Sequence, residues 1–364
     1  MTEIRIACVV GARPNFMKIA PIISELQKRP VFAPQLIHTG QHFSAEMSDS
    51  FFRDLEIPEP DVNLGVGGGT HGEQTAQVML RIEPVLRAFQ PHVVLVVGDV
   101  NSTLAAAITA AKIGIPVAHV EAGLRSFDRT MPEEINRVLT DAVSDYLFTT
   151  EPAAEKNLLA EGIPARKIFF TGNVMIDTLL RFRDKAARSD VLERLGLAPG
   201  SYAAVTLHRP SNVDSPASLN AMIAMLVELA RNLPVVFPVH PRTRARMASA
   251  GVAPDGLILT DPMGYLDFLR LIGCARLVLT DSGGIQEETT VLGVPCLTLR
   301  ANTERPITVE MGTNRLVGTD PAAALQAALE TLAKPPRAAS RPPLWDGNAS
   351  GRIVDILERS LSSQ

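Results

Sequence analysis

At 364 residues the chain is longer than one ordinary hydrophobic core supports, and a prior of about 150 residues per domain predicts two domains. With 46% hydrophobic and 20% charged residues it has the make-up of a soluble globular protein, and a formal net charge of -4 gives no electrostatic reason to bind nucleic acid. Cys8, Cys274 and Cys296 lie far apart with no CxxC or Cys/His cluster, which predicts reduced thiols, a cytoplasmic protein and no metal site.

The N-terminal stretch MTEIRIACVVGARPNFMK holds a short apolar run cut by Gly11, Arg13 and Pro14, so neither a signal peptide nor a membrane span is predicted. IRIACVV (4–10) is predicted as a strand, followed by a helix in which Ile19, Ile22, Ile23 and Leu26 recur at i, i+3, i+4 and i+7. HVVLVV (92–97) is a strand before a helix capped around Asn101 or Ser102; PVAHVEAG is the next strand, and MPEEINRVLTDAVSDYLF runs from helix into strand. After FFTGNVMIDTLL a second series begins with YAAVTLHRP, PVVFPVHPR, GLILTD, ARLVLTDSGG and VPCLTLR, most with helix-period segments between them. This alternation predicts an α/β fold of two doubly wound, Rossmann-like parallel-sheet domains, 1–172 and 173–345, facing a cleft at the C-terminal ends of their strands. The Pro-rich KPPRAASRPPLW (334–345) reads as a linker to a last helix near 349–361, within a terminal segment 346–364.

The chemistry-bearing residues cluster at predicted strand ends. In TDSGGIQEE, Gly283 and Gly284 follow a strand and open a helix, so their backbone N–H groups can approach an anion, and the Ser282 hydroxyl adds a donor. Glu287 and Glu288 would repel phosphate, but one of them turned sideways can accept from a neutral diol. A ribose attached to a diphosphate supplies both partners, so the ligand reads as a nucleotide; the alternative is a plain turn with acids complementing a helix dipole. GARPNFMK has neither GxGxxG nor the Walker Lys-Ser/Thr, so no NAD and no other cofactor is predicted. Its Arg13 and Lys18 suit a leaving diphosphate, or are solvated cations at a helix start. Asp99 and Glu121 each close an apolar strand, where burial penalises a carboxylate's charged form. Glu133 joins them at the cleft or, with Glu134, is a first-turn acid after Pro132. His208 and His240 end strands of the second half, with Arg209 and Arg242 close behind, and look anion-directed; His38 and His42 in HTGQH line the cleft or satisfy a loop.

Taken in order, GARPNFMK, HTGQH, VVGDVNSTLAAA, PVAHVEAGLRS, PEEINR, TGNVMID, HRPSN, HP, TDSGGIQEE, LGVPCLTLR and TERP resemble the non-hydrolysing UDP-N-acetylglucosamine 2-epimerase family over nearly the whole chain. The resemblance implies a fold like that of type B glycosyltransferases with the last helix packed back on the first domain, a homodimer, and a UDP-sugar substrate. It further implies interconversion of UDP-GlcNAc and UDP-ManNAc: anti elimination of UDP leaves a 2-acetamidoglucal, and UDP adds back after a proton returns to the other face of C2. By position, Asp99, Glu121 and Glu133 match the family's catalytic acids and His208 its histidine near the diphosphate. Arg13 and Lys18 match nucleotide-phosphate or catalytic-site residues, Ser282, Gly283 and Gly284 the phosphate turn, Glu288 the ribose acceptor and Phe268 a contact near the uracil, with Arg137 and His240 as further carry-overs. Two motifs depart from the familiar pattern: Ala12-Arg13-Pro14-Asn15 stands for Thr-Arg-Pro-Glu, and His208-Arg209-Pro210-Ser211-Asn212 for His-Arg-Arg-Glu-Asn. Both departures occur in branches that act on other UDP-sugars, including a diacetamido uronic acid. The competing readings are a glycosyltransferase of the same fold, a silent UDP-sugar-binding regulator and a hydrolysing relative. The acids at 99, 121 and 133 favour the epimerase, because transfer needs no base at C2.

Overall fold

The structure, a computed structural model, describes residues 3–40, 55–239, 241–249, 254–335 and 340–362. The chain forms two compact units, Met1–Arg181 with Pro343–Gln364, and Phe182–Pro342.

In the first unit the order is β1 (Ile4–Val10), α1 (Arg13–Gln27), β2 (Phe32–His38), β3 (Val62–Asn63), α2 (His71–Phe89), β4 (Val93–Val97), α3 (Asn101–Lys112), β5 (Val117–Ala122), α4 (Pro132–Val143), β6 (Tyr146–Thr149), α5 (Pro152–Ala160) and β7 (Ile168–Phe170). α6 (Val174–Ala186) then carries the chain into the second unit. The strands form one parallel sheet, β3-β2-β1-β4-β5-β6-β7. Helices sheathe a parallel sheet on both faces, so its middle strands are continuous apolar runs rather than alternating ones. β4, VVLVV, is buried at all five positions. One face packs Ala7, Val9, Val94 and Val96 against Val78, Ile82 and Leu86 of α2 and the alanines of α3.

The second unit repeats the plan with α7 (Val191–Arg194), β8 (Ala203–Thr206), α8 (Pro210–Val213), α9 (Pro216–Ala230), β9 (Val235–Pro238), α10 (Pro241–Ser249), β10 (Leu257–Thr260) and α11 (Tyr265–Gly273). It continues through β11 (Leu277–Thr280), α12 (Gly283–Leu292), β12 (Cys296–Thr298), α13 (Ile307–Glu310), β13 (Asn314–Leu316) and α14 (Pro321–Leu332). Its parallel sheet runs β10-β9-β8-β11-β12-β13. In both sheets the first strand of the unit lies beside the fourth, and the order reverses there: β1/β4 and β8/β11 are the switch points at which open α/β sheets receive ligands.

α15 (Ala349–Leu361) buries Ile353, Val354, Leu357 and Leu361 in the first unit. The Asp177 carboxylate accepts from Ala349 N at 3.1 Å and from Ser350 N and Oγ at 2.7 Å, satisfying the helix's first N–H groups. Arg29, in the turn after α1, pairs with Asp355 and Glu358 at 2.6 and 2.7 Å. The Pro-rich stretch before this helix ends in an anchor rather than a plain linker: Trp345 is fully buried and its indole N–H donates to Thr150 O at 2.9 Å. The cap expected around Asn101 or Ser102 falls instead on Val100 without a side-chain bond. Asn101 is engaged by Gln74 and Asn136, and Ser102 by Thr39, so neither side chain is left for its own helix. Among the described residues no helix is long and apolar enough to cross a membrane.

Candidate active site

At the β1/β4 switch point the chain turns from β1 straight into α1. Asn15 fastens the two strand ends: its Oδ1 accepts from Ala12 N at 2.9 Å and its Nδ2 donates to Val97 O at 2.7 Å. One turn further along α1, Lys18 is buried and ion-paired with Glu121. Gly98 makes room for this pair: it holds φ +69°, and a β-carbon there would lie 2.8 Å from Lys18 Nζ. Glu121 sits in β5 at a register shift between Val120 and Ala122, with φ +75°. A non-glycine residue in the left-handed region inside a strand costs about 1–3 kcal/mol and persists where the surroundings over-determine it.

α4 lays Glu134, Arg137 and Asp141 along one face, at i, i+3 and i+7, and each fastens a loop. Arg137, 2% exposed at its side chain, bonds the Asp99 carboxylate at 2.5 Å and Glu134 at 2.7 Å. Glu134 also accepts from Ser126 N, Ser126 Oγ and Phe127 N. Burial works to raise its pKa, but these donors and Arg137 outweigh that and hold it below the usual carboxylate range. Asn136 holds the Asp99 carbonyl at 2.9 Å. Asp141 receives Gly123 N at 3.0 Å and Arg125 at 2.7 Å, and lies 2.6 Å from His119 Nδ1, while His119 Nε2 lies 2.8 Å from Gly98 O. A fully buried imidazole thus ties the peptide before Asp99 to the strand that carries Glu121.

At the β8/β11 switch point the fully buried Asp281 carboxylate accepts from His208 N, Arg209 N and Asn212 Nδ2 and lies 2.7 Å from His208 Nδ1. Ser282 is the N-cap of α12 but makes no side-chain cap bond, and no acid stands in the helix's first turn. The adjacent carboxylates turn aside: Glu287 receives Arg305 Nε at 2.7 Å, and Glu288 receives the Tyr265 hydroxyl at 3.2 Å. Complete burial, with the Glu287 charge beside it, pushes the Glu288 pKa up to about 8 despite the Tyr265 bond. Arg305 continues to Glu304 at 2.5 Å and Glu304 to Arg300 at 2.7 Å, so the TERP stretch is stapled beneath the start of α12. A β-carbon at Gly283 would overlap the Arg305 guanidinium and come within 2.8 Å of Glu304 Oε1, so the glycine is required for this packing.

The structure therefore brings Lys18, Asp99, Glu121 and Arg137 together in the first unit. His208, Ser282, Gly283, Gly284 and Glu288 lie around the second unit's switch point, Gly284 in the first turn of α12, with Phe268 half-buried one turn along α11 from Tyr265. Glu133 is half-buried in the first turn of α4. Neither Lys18 nor Glu134 is the solvated or merely dipolar residue that one alternative held it to be: both are buried and ion-paired. His38 ends β2 buried against the Phe16 ring, 5.2 Å between centroids, and burial lowers its pKa. His42 and His240 lie outside the described residues, as do the side chains of Arg13 and Arg242. Sequence reasoning missed His119, Arg125, Asp141, Asp281 and the buried roles of Arg305 and Glu304. One signal was readable, the polar set at 134, 137 and 141 on one helical face. Among the described residues no group of three His, Cys, Asp or Glu side chains is disposed to hold a metal ion.

Two parallel sheets of one order, with charged residues gathered at each switch point, define an α/β protein of two Rossmann-like units. A glycosyltransferase of kitacinnamycin shares that architecture at 16% identity and TM-score 0.61, covering 98% of this chain and 99% of that one, a likeness of fold alone. The chain belongs to the UDP-N-acetylglucosamine 2-epimerase family, whose profile matches residues 24–358. It is 43% identical over 363 residues to a UDP-N-acetylglucosamine 2-epimerase of Methanocaldococcus jannaschii, covering 97% of this chain and 98% of the relative. A UDP-2,3-diacetamido-2,3-dideoxy-D-glucuronate 2-epimerase of Pseudomonas aeruginosa is 42% identical over 360 residues, with coverage of 98% and 99%. The crystal structure of the Methanocaldococcus jannaschii UDP-GlcNAc 2-epimerase in complex with UDP-GlcNAc and UDP superposes with TM-score 0.91 at 43% identity, over 98% of this chain and 100% of that one.

Proposed function

We propose that this protein is a non-hydrolysing UDP-GlcNAc 2-epimerase, which eliminates UDP from C1 as a base takes the C2 proton and re-adds it after an acid returns a proton to the opposite face. The observation that carries the reading is the first sheet's switch point. Asp99 and Glu121 are each fixed beside a cation, Arg137 and Lys18, and share one backbone support, the Gly98 peptide under His119. Two carboxylates held by separate partners suit a reaction that needs a base and an acid on opposite faces of one carbon. Glu133 is the third acid of this set. In the second unit the open N-terminus of α12 and His208 take the diphosphate, Glu288 the ribose and Phe268 the uracil. Activity without added NAD or metal, a homodimer and a cytoplasmic location belong to the same reading.

A second reading, a 2-epimerase for a UDP-diacetamido uronic acid, is favoured by the Pseudomonas aeruginosa relative at 42% identity. One experiment separates the two: a proton NMR time course in D2O with each UDP-sugar. The first reading expects inversion of UDP-GlcNAc with deuterium entering C2 at every turnover. Product free of deuterium sinks the elimination mechanism, and turnover confined to the uronic acid selects the second reading.

A further inference from the structure

Asp281 is the last residue before the cap of α12, and it is fully buried while the side chain it faces, His208, is 55% exposed. Three donors, His208 N, Arg209 N and Asn212 Nδ2, meet its Oδ2 at 3.0, 2.9 and 3.0 Å, and His208 N is shared with Oδ1 at 3.1 Å, where His208 Nδ1 is the one side-chain partner among the described residues, at 2.7 Å. Burial alone would raise the carboxyl's pKa, but the hydrogen bonds from His208, Asn212 and Arg209 outweigh it and hold Asp281 below the usual carboxylate range. An ionised carboxylate only accepts, so the proton between the two side chains belongs to Nδ1. With that nitrogen anchored on a buried group, the accessible end of the ring is the Nε2 end.

We propose that Asp281 is a positioning residue for His208: it fixes the ring as the Nδ1–H tautomer and presents Nε2 to a phosphate oxygen of the nucleotide sugar. The second clause rests on the function proposed above; the first does not. The neutral Nδ1–H ring has only a lone pair at Nε2, so in the complex Nε2 takes a proton from solvent beside the anionic phosphate and donates it in a hydrogen bond as an imidazolium. When the sugar C1–O bond breaks, its electron pair leaves with the diphosphate oxygen, and the imidazolium meets the growing negative charge while Asp281 balances its own. No covalent bond forms to His208. Because Asp281 adjoins Ser282, the same carboxylate sets the ring and the start of the helix that takes the diphosphate.

The test is a long-range proton–nitrogen NMR correlation of His208 in the unliganded protein, read beside steady-state kinetics. The wild-type ring is expected as Nδ1–H. Asp281→Asn keeps an oxygen for the backbone N–H groups but turns an amide NH2 toward Nδ1, so the ring is expected to switch to Nε2–H. kcat for epimerisation then falls about 100-fold with KM within about threefold. Asn212→Ala, which removes a different partner of Asp281, keeps the Nδ1–H tautomer and a kcat within about threefold per folded molecule. An Nε2–H ring in the wild type, a folded Asp281→Asn protein that retains Nδ1–H, or equal losses in the two variants overturns the proposal. Should the wild type turn over no UDP-sugar at all, the epimerase reading fails, while the tautomer of the unliganded ring still decides whether Asp281 positions it.

Discussion

Glu121 combines a left-handed backbone, a buried side chain and a lysine partner, three costs that packing alone gives no reason to accept at one residue. If it and Asp99 move the C2 proton, Glu121→Gln and Asp99→Asn keep shape and hydrogen-bonding reach but remove the titratable group. Turnover per folded molecule should fall by about 100-fold or more, with UDP affinity by calorimetry within about threefold; Glu133→Gln tests the third acid in the same way, and near wild-type turnover in all three removes the acids from the mechanism. Glu288 offers a separate handle. Burial pushes its pKa up to about 8 and so favours the protonated acid at neutral pH, whereas the role proposed for it above, acceptance from both ribose hydroxyls, would need the carboxylate. UDP binding at pH 7 should therefore release a proton, seen as a dependence of the binding enthalpy on the buffer's ionisation enthalpy, and Glu288→Gln should abolish that dependence. The same shift has a stability sign. A pKa raised in the folded state contributes stability in full below the ordinary carboxylate value of about 4.5, loses it by up to about 1.4 kcal/mol per unit as pH rises, and is exhausted above about 8. Glu288→Gln should flatten that decline between pH 5 and 8 in urea unfolding curves. Asn15, one of the departures from the familiar motif, has Oδ1 and Nδ2 both bonded to backbone groups and is 2% exposed. Its place in the sequence suggested altered sugar selection; its contacts describe a staple between strand ends. Asn15→Ala should cost about 1–3 kcal/mol of stability and leave the ratio of kcat/KM between the two UDP-sugars unchanged.

α4 works as a clamp on the loops after β4 and β5. Its polar face carries no solvated charge of the usual surface kind: Glu134, Asn136, Arg137 and Asp141 are all buried, and each spends its hydrogen bonds on another loop. A salt link within such a set gains little over apolar packing, but deletion of one member leaves buried partners uncompensated. Glu134→Ala takes from Arg137 one of its two carboxylate partners, leaving it Asp99, and strands the N–H groups of Ser126 and Phe127 at the same time. The expected cost is about 3–5 kcal/mol in chemical unfolding, and a loss under 1 kcal/mol would show that the clamp is supported elsewhere. α12 follows the opposite design. Its first turn is left open at the backbone, and its acids are drawn away by Arg305 and Tyr265. The two adjacent glutamates that appeared to contradict an anion site are thereby reconciled with it.

At the scale of the whole chain, the last helix belongs to the unit in which the chain began. Deleting residues 346–364 would uncover the face of α1 that Ile353, Val354 and Leu357 cover, and would leave the buried Asp177 carboxylate without Ala349 and Ser350. Hydrogen exchange of the shortened chain should then show loss of protection in α1 and α6 of the first unit, with β8 to β13 of the second unchanged. Equal loss in both sheets would mean that the units unfold as one.

What the sequence by itself determined follows from local periodicity and from ordered motifs. The buried strands VVLVV and LVLT, the helix at 349–361, the α/β class and the family were legible because parallel strands are apolar along their length and helices repeat at 3.6 residues. β2, β7 and β13 carry Pro34, only three residues, or polar Asn314 and Arg315, and their strand character comes from pairing with neighbours already in place. The candidate acids at 99 and 121 were legible as strand-end carboxylates, but their partners were not. Lys18 and Glu121 are 103 positions apart, and Arg137 and Asp99 are 38 apart. Only the order in which the strands pair decides that these distant residues meet. The fates of Glu287 and Glu288 were settled in the same way, by Arg305 and by Tyr265 on another helix, because a carboxylate's charge and direction depend on which donors the fold brings to it, and no spacing within TDSGGIQEE contains that information.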